Sequence, residues 1–563
     1  MPQHSRWTVS VPEVSISTYI FGSPYSPLSN HVAYVDNDDP SRLYLTWSTL
    51  RHWSQRFAAG LINAGVQKGD RILVYSPNSI LVPVLFHGTI MAGGIYSAAN
   101  ARFVPRELAY QLQTIEATVL LVSRGNLKKA LEAAKYAGLA REKVFLFDEA
   151  PLLKQDGGED DKESGVKHWK YLISSEEVGR QFQWEQVTGE EAKKRTIGLS
   201  FSSGTTGLPK GVEGSHYNLI AGSVQAEYVM SLDSKKRTRE LASESCRWLC
   251  TIPLYHGLGL FYFMVIAPSL RIPTYIMSQY NLNRMVSAIE RHKITELHLV
   301  PPIIIEMTQH QGIKDKQVDM SSVTATLSCG APLGQEVSLE YERLWPEGVM
   351  NVKQAFGMTE LCGISLGCDP NLPAVPGSVG EPMPNVEVKL VDDNHEEVAA
   401  GDYGEMWVRS PSTMKGYWQN LEATDDTITA DGWLKTGDIA VVDRKGCYYI
   451  IDRKKELIKV KGNQVAPAEL EALLLDHPAV ADVAVIGVKS YQDEAPRAYI
   501  VPASPISEKD IHHYVNDRVQ SIKRLRGGVY FTSAIPRNPS GKILRRLIRD
   551  QATSKKTGLK PQL

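Results

Sequence analysis

Hydrophobic positions in the first third of the chain switch repeatedly between two periods. Leu50, Trp53, Phe57 and Leu61 recur at three- and four-residue steps and stop before Gly65, which predicts a helix ended by a glycine. Residues 71–76 (RILVYS) follow with four consecutive apolar positions at their centre, the pattern of a buried strand. Residues 118–122 and 143–147 predict further strands, and the Ala- and Lys-rich stretch 126–137 between them predicts a helix. Such alternation predicts βαβ units around parallel sheets. Between residues 401 and 448, short β-type segments are punctuated by Gly, Asp and Pro, which predicts a compact β-rich part. Beyond residue 452 the pattern changes again. Pro467 opens a helix through Leu475, strands are expected at 480–488 and 498–501, and Ser507 with Asp510 three residues on starts another helix. The expected fold is α/β: a large N-terminal domain (1–451) of βαβ-type sheets with a β-rich subdomain, a hinge at 452–455, and a small mobile α+β C-terminal domain (456–563). Residues 156–167 and 231–245 are polar and charged and read as exposed insertions.

Composition narrows the functional classes. The 563 residues carry 62 Lys and Arg against 63 Asp and Glu, a net charge of -1, so no global field holds a nucleic acid or an anionic membrane. Any anion must be held by a local site. Six cysteines without CxxC spacing argue against a disulfide framework and a zinc site, and suit a reducing compartment. The N-terminal segment lacks a basic region followed by an apolar run, and the most apolar stretch, residues 257–270, is too short for the ~20 residues of a membrane span. A soluble, cytoplasmic protein is expected. The terminal Leu563 without a Ser-Lys-Leu ending leaves peroxisomal import as the weaker alternative.

The chemistry concentrates in short motifs. Residues 200–211 (SFSSGTTGLPKG) follow a strand-like start. Glycines there let backbone N–H groups turn toward an anion, hydroxyls add donors, and Lys210 adds charge, a combination suited to a polyphosphate but lacking the Walker spacing. Six more motifs follow in order: PLYHGLG (253–259), CGAPLG (329–334), QAFGMTE (354–360), GWLKTGD (432–438), DRKKELIKVKGNQVAPAELE (452–471) and PRNPSGKILRR (536–546). In this set and order the chain resembles the adenylate-forming superfamily of acyl-CoA synthetases, nonribosomal-peptide adenylation domains and beetle luciferases, and within it the 4-coumarate:CoA ligases. The resemblance covers nearly the whole chain.

That resemblance implies an ATP-, Mg²⁺- and CoA-using acid–thiol ligase that converts a carboxylate to an acyl-AMP and passes the acyl group to a thiol. It implies that Ser202, Ser203, Gly204, Thr205, Thr206 and Lys210 hold the phosphates, and that Glu360 and Thr206 serve the metal. Gln354, Ala355, Phe356, Gly357 and Thr359 would line the nucleotide, with Phe356 stacking on adenine where relatives commonly carry Tyr. Asp438 and Arg453 would meet the ribose. Lys542 would reach in from the small domain and offset the charge of two approaching anions. His256 would gate the acyl and thiol paths. Catalytic roles thus fall to Lys542, His256, Thr206 and Glu360. Lys455 matches the hinge, and Lys459, Lys461, Gly462 and Gln464 would serve nucleotide or pantetheine contacts; Asn463 stands where an aromatic is often found. The acid's pocket is expected among His256, Gly257, Leu258, Tyr262, Ala331, Ala355, Gly363 and Ile364. It would suit an aryl, arylpropenoic or medium-chain acid, because an unpaired second carboxylate is costly to bury. Arg545, Arg546 and Arg549 read as a solvated basic face.

The acceptor is CoA or, alternatively, the same pantetheine arm on a carrier protein. A luciferase-type oxygenase shares the first step, and a non-catalytic nucleotide-binding scaffold is the rival from another class. The partners expected are small molecules, with neither nucleic acid nor a membrane span.

Overall fold

The computed structural model describes residues 2–153, 158–202, 208–234, 246–460, 463–490, 493–537 and 541–554. Two large sheets dominate. One has eight strands in the order Gly416–Tyr417, Lys210–Ser215, Thr196–Ser202, Ile95–Ala98, Arg71–Tyr75, Val119–Ser123, Val144–Phe147 and Lys167–His168. From Thr196–Ser202 onward every neighbouring pair is parallel; the first three strands pair antiparallel. The other has seven strands running from Lys353–Gln354 through Ala325–Ser328, Glu296–Leu299, Trp248–Cys250, Thr274–Ile276 and Val32–Asp36 to Tyr44–Thr46, antiparallel only at the last pair.

The expected βαβ pattern holds because the parallel strands are buried on both faces. Ile72, Leu73 and Val74 are all buried, so polar residues have no place in that run. The helix Trp47–Asn63 starts at Thr46, whose hydroxyl and that of Thr49 form a reciprocal cap, and it buries Leu50, Phe57 and Leu61. The β-rich part is a five-stranded sheet that includes Gly404–Arg409, Leu434–Val442 and Tyr448–Arg453. No described helix is long and apolar enough to cross a membrane.

The C-terminal part has its own core of Ile458, Val465, Leu470, Leu474, Val483, Val485, Ile500 and Ile511. Its helix Pro467–Leu475 and the Ser507 cap with Asp510 lie where expected. The strands are longer than the sequence pattern indicates: Val480–Ser490 and Asp493–Pro502 pair along their whole length, well beyond the apolar residues. The basic helix Arg545–Ser554 corrects an expectation. Arg545, half-buried, pairs with Glu471 at 2.6 Å, and Arg549 pairs with Glu456, so these two arginines hold the small part together. Only Arg546 stands on an exposed face.

Candidate active site

Asp438 sits on Leu434–Val442 directly opposite Arg453 on the neighbouring antiparallel strand. Arg453 Nε donates to Asp438 Oδ1 at 2.6 Å. Thr436 Oγ1 accepts the Asp438 N–H at 3.1 Å and donates to the Met406 carbonyl, which fixes this part of the strand. Asp438 is only 3 % exposed, and its Oδ2 is buried without a hydrogen-bond partner. An orphaned carboxylate oxygen of this kind calls for a donor from a ligand, since leaving it unmet is costly. Burial pushes the Asp438 carboxyl up, and the charges of Arg453 and Lys542 oppose that shift.

Glu360 is held on a turn between two short strands. Phe356–Met358 pairs with Gly363–Gly367, and Thr359–Leu361 makes the link, closed by Cys362 in the left-handed region. A Cβ on Gly357 would collide with the Gly363 carbonyl, so only glycine lets the two strands approach there. Glu360 is 6 % exposed, and its Oε1 accepts from the Tyr417 hydroxyl at 3.0 Å. Lys210 begins its strand opposite Ser202, and its Nζ lies 4.6 Å from the centre of the Tyr417 ring. Ser203, Gly204, Thr205 and Thr206, expected to join these two strands as a phosphate loop, lie outside the described residues.

His256 caps the short helix Gly257–Leu260, its Nδ1 accepting the Leu258 N–H at 3.3 Å; Phe261–Ile266 then continues as a π-helical turn. Such turns often mark functional sites. Burial, and secondarily the charge of Lys542, lower the His256 pKa to about 4, so the ring is neutral at ordinary pH. Gly257 faces Thr359, which brings the histidine's helix beside the Glu360 turn. Ala355 and Ile364 are buried, Leu258 and Ala331 half-buried, and Gly363 backs onto Phe261.

Two expected contacts are placed differently. Gln354 Oε1 accepts the Leu333 N–H at 2.9 Å and its Nε2 donates to the Leu333 carbonyl at 3.2 Å, so its side chain fastens the 329–334 loop. Tyr262, on the π-helical turn, is packed with His298 at 4.2 Å and Trp248 at 5.9 Å between ring centres in a buried aromatic cluster.

Lys542 comes from the C-terminal part. Gly541 before it adopts φ 82, and a Cβ there would sit 2.6 Å from Pro302 Cγ, at the start of the helix Pro301–Gln309. The turn is therefore wedged against the large domain through a residue that only glycine replaces without strain. Arg537 braces it by donating to the Gly541 carbonyl at 2.9 Å while paired with Asp482 at 2.7 Å. Burial and Arg453 lower the Lys542 pKa, while Asp438 and Glu360 raise it. Lys542, Arg453, Asp438, Glu360 and His256 thus share one electrostatic environment. Lys455 is exposed in the turn after Arg453. The exposed Lys459 donates its N–H to Glu494 and pairs with Gln464 across a hairpin, whereas Lys461 and Gly462 lie outside the described residues.

Sequence reasoning did not single out Tyr417, Thr436 or Arg537. Tyr417 lies in a Gly-aromatic run with no charge or nucleophile to mark it. Arg537 stands inside a recognisable motif, and its spacing of four from Gly541 was the available signal.

Residues 26–418 match the family described as AMP-binding enzyme, and residues 469–542 match its C-terminal domain. Probable CoA ligase CCL5 of Humulus lupulus is 35 % identical, across 98 % of this chain and 95 % of that protein. 4-Coumarate--CoA ligase-like 2 of Arabidopsis thaliana is 37 % identical, across 89 % and 85 %. In fold, the anthranilate CoA ligase AuaEII in complex with anthranoyl-AMP superposes with a TM-score of 0.80 at 23 % identity, covering 98 % of this chain and 99 % of that one. With the matched regions containing most of the cluster just described, the chain belongs to the AMP-binding enzymes, the adenylate-forming superfamily, in its acyl-CoA synthetase branch.

Proposed function

We propose that this enzyme joins a monocarboxylic acid with an apolar body to the thiol of CoA, by way of an acyl-AMP, with ATP cleaved to AMP and pyrophosphate. The observation that carries this reading is the convergence of Lys542 from the small lobe on Asp438, Glu360 and His256 of the large lobe, beside an orphaned buried carboxylate oxygen. The relatives' names, a probable CoA ligase and a 4-coumarate--CoA ligase-like protein, support the acceptor and the broad acid class.

Asp438 Oδ2 would accept from a ribose hydroxyl, with Arg453 keeping the carboxylate charged and aimed. Phe356 offers a half-buried ring to the adenine. The substrate's carboxylate oxygen attacks the α-phosphorus, the bond to the bridging oxygen of pyrophosphate breaks, and Lys542 offsets the negative charge of both anions as they close. Glu360 is a hard oxygen donor with one oxygen held by Tyr417, which fits a Mg²⁺ ligand. Mg²⁺ bound there would neutralise phosphate charge. Among the described residues no group of three His, Cys, Asp or Glu could hold a metal ion, which suits a cation arriving with the triphosphate.

In the second step the thiol sulfur bonds to the acyl carbon, the acyl–phosphate bond breaks, and AMP leaves with one proton released. The neutral His256 imidazole is suited to orient or receive that proton. The small lobe would turn about Lys455 between the two steps and withdraw Lys542. Leu258, Ala355 and Ile364 present no charge to the acid's tail, which is why a second carboxylate is disfavoured.

The test is acid-dependent release of pyrophosphate across aromatic, arylpropenoic and aliphatic acids, with and without CoA. AMP and a thioester should accumulate only when CoA is present. ATP that stays intact with every acid would overturn the assignment; transfer to a holo carrier protein in preference to CoA would move it to the alternative acceptor.

A further inference from the structure

Tyr417 touches two functional groups that come from different parts of the chain. Its hydroxyl donates to Glu360 Oε1 at 3.0 Å, and its ring lies under the Lys210 ammonium, 4.6 Å from Nζ to the ring centre. The residue is 8 % exposed. Its backbone is fixed to the strand that begins at Lys210: Tyr417 pairs with Val212 and Gly416 with Glu213. The neighbours reinforce this, since the Trp418 N–H donates to the Gly211 carbonyl at 2.8 Å and the Lys415 N–H to the Glu213 carbonyl at 3.0 Å. Three residues earlier, the Met414 N–H donates to the Glu360 carbonyl at 2.8 Å. The segment 414–418 is therefore stitched on one side to the Lys210 strand and on the other to the Glu360 turn.

A carboxylate has two oxygens and a soft terminal torsion, so an isolated Glu360 could rotate and offer either oxygen to a cation. A donor fixed on Oε1 ends that freedom and leaves Oε2 as the oxygen presented. Facing a carboxylate, which can only accept, the phenol O–H is the donor of this contact. The ring face is the electron-rich side that attracts an ammonium, so the same side chain also restrains Lys210.

We propose that Tyr417 is a positioning residue that couples the triphosphate's cationic contact to the carboxylate contact of the divalent cation, so that the two bind as one unit. The proposal rests on the assignment of Lys210 and Glu360 given above. It concerns a ligand's partner and not a group touching the reacting atoms. A metal ligand's hydrogen-bonded neighbour is typically worth ~10–100-fold in metal affinity.

The experiment measures equilibrium binding without turnover. Mn²⁺ is titrated into protein with ATP and no acid, and free Mn²⁺ is read by electron paramagnetic resonance; AMP affinity is measured separately in the absence of metal. Tyr417→Phe keeps the ring over Lys210 and removes the hydroxyl. It should weaken Mn²⁺·ATP by about tenfold or more and leave AMP affinity unchanged. Tyr417→Leu removes both contacts and should weaken Mn²⁺·ATP further, again sparing AMP. In a Glu360→Gln background, adding Tyr417→Phe should cost little more, because the hydroxyl acts through that carboxylate. Comparing Mn²⁺·ATP with AMP on the same preparation cancels any unfolded fraction. Equal losses for AMP and Mn²⁺·ATP, an unchanged Mn²⁺ titration in Tyr417→Phe, or full additivity with Glu360→Gln would each overturn the coupling. A wild-type protein that binds neither nucleotide would instead remove the functional reading on which the coupling stands.

Discussion

The two halves of the site are built by opposite means. His256, Glu360 and Asp438 stand on turns and strands of the large domain, where one apolar core runs from Trp7 to Tyr448. Glu360 and Asp438 are buried and His256 half-buried, and each is already hydrogen-bonded: His256 to the Leu258 N–H, Glu360 to Tyr417, Asp438 to Arg453. Lys542 is delivered by a part with separate cores, those around Ile458 and around Ala484. Among the described residues, one small apolar cluster, Ile439, Leu457 and Ala466 with Ile451 against it, spans the turn at Lys455. The fixed half is preorganised by packing, while among the described residues the delivered half meets it through charge and a wedge at Pro302. A contact held by charge can form and part more readily than a shared hydrophobic core, because parting it re-exposes less apolar surface.

Removing the delivered cation should separate the halves most sharply. Lys542→Ala is expected to slow acyl-AMP formation by about 10²–10³-fold, the range seen when one preorganised donor to a developing charge is lost. Thioester formation from supplied acyl-AMP should change little. Equal loss of both half-reactions, measured by pyrophosphate release and by thioester yield, would show that Lys542 supports the fold of the site and not one step. A smaller effect belongs to the fixed half. Asp438→Asn keeps the shape but removes the charge beside Arg453, and should raise the KM for ATP by roughly tenfold, about 1.4 kcal/mol, with a much smaller change in kcat. A fall in kcat alone would place Asp438 in the chemical step.

The contrast between halves also explains what could be read from the chain. Buried parallel strands such as Arg71–Tyr75 and capped helices such as Glu508–Asn516 announce themselves, because local pattern and tertiary burial agree. The length of Val480–Ser490 does not: its outer residues are strand only because Asp493–Pro502 runs beside them. Motifs pointed to Asp438, Glu360, His256 and Lys542 through a family resemblance, yet said nothing of how each is held. Tyr417 and Gln354 make the point from both sides. A phenol with no distinctive neighbours touches two site groups, whereas a glutamine inside a motif is committed to the Leu333 backbone. Pairings between segments distant along the chain, such as Lys210 with Tyr417, have no local signature.

The interface between lobes carries a pH dependence whose sign can be worked out. Asp476 ends the helix Pro467–Leu475 of the small lobe, where the helix dipole disfavours a negative charge, and it meets Glu336 in the first turn of Gln335–Glu342 of the large domain. Burial, together with a hydrogen bond to Glu336, pushes the Asp476 carboxyl up to about 6. A raised carboxyl holds its proton more tightly in this arrangement than when the lobes part. The contact is therefore fully favoured only below the ordinary carboxylate range and loses that advantage as pH rises through about 6. Between pH 5.5 and 8, the rate of acyl-AMP formation relative to thioester formation should fall in the native enzyme and fall less in Asp476→Asn. A variant that retains the native slope would exonerate this pair. Both groups are largely exposed, so the change expected is a few-fold.

The smallest effect expected lies on His256 itself. Burial lowers its pKa to about 4, and Lys542 contributes the lesser part. Because the lowered value means the ring is kept neutral, acidification toward pH 4 must protonate a buried group, and the stability this region lends is lost as pH falls below the usual histidine range. In Lys542→Ala the burial remains and one positive charge is gone, so the His256 pKa should rise yet stay below its ordinary value. Withdrawal of the small lobe would have the same consequence as the mutation: the imidazole becomes a better proton acceptor just as the thiol replaces the lysine. Carbon-bound ring proton shifts of His256, followed by nuclear magnetic resonance from pH 3.5 to 7 in the native and Lys542→Ala proteins, measure this directly. Superimposable titrations would mean that the arm does not sit beside the histidine in solution, and the link between the departure of one half and the readiness of the other would fail.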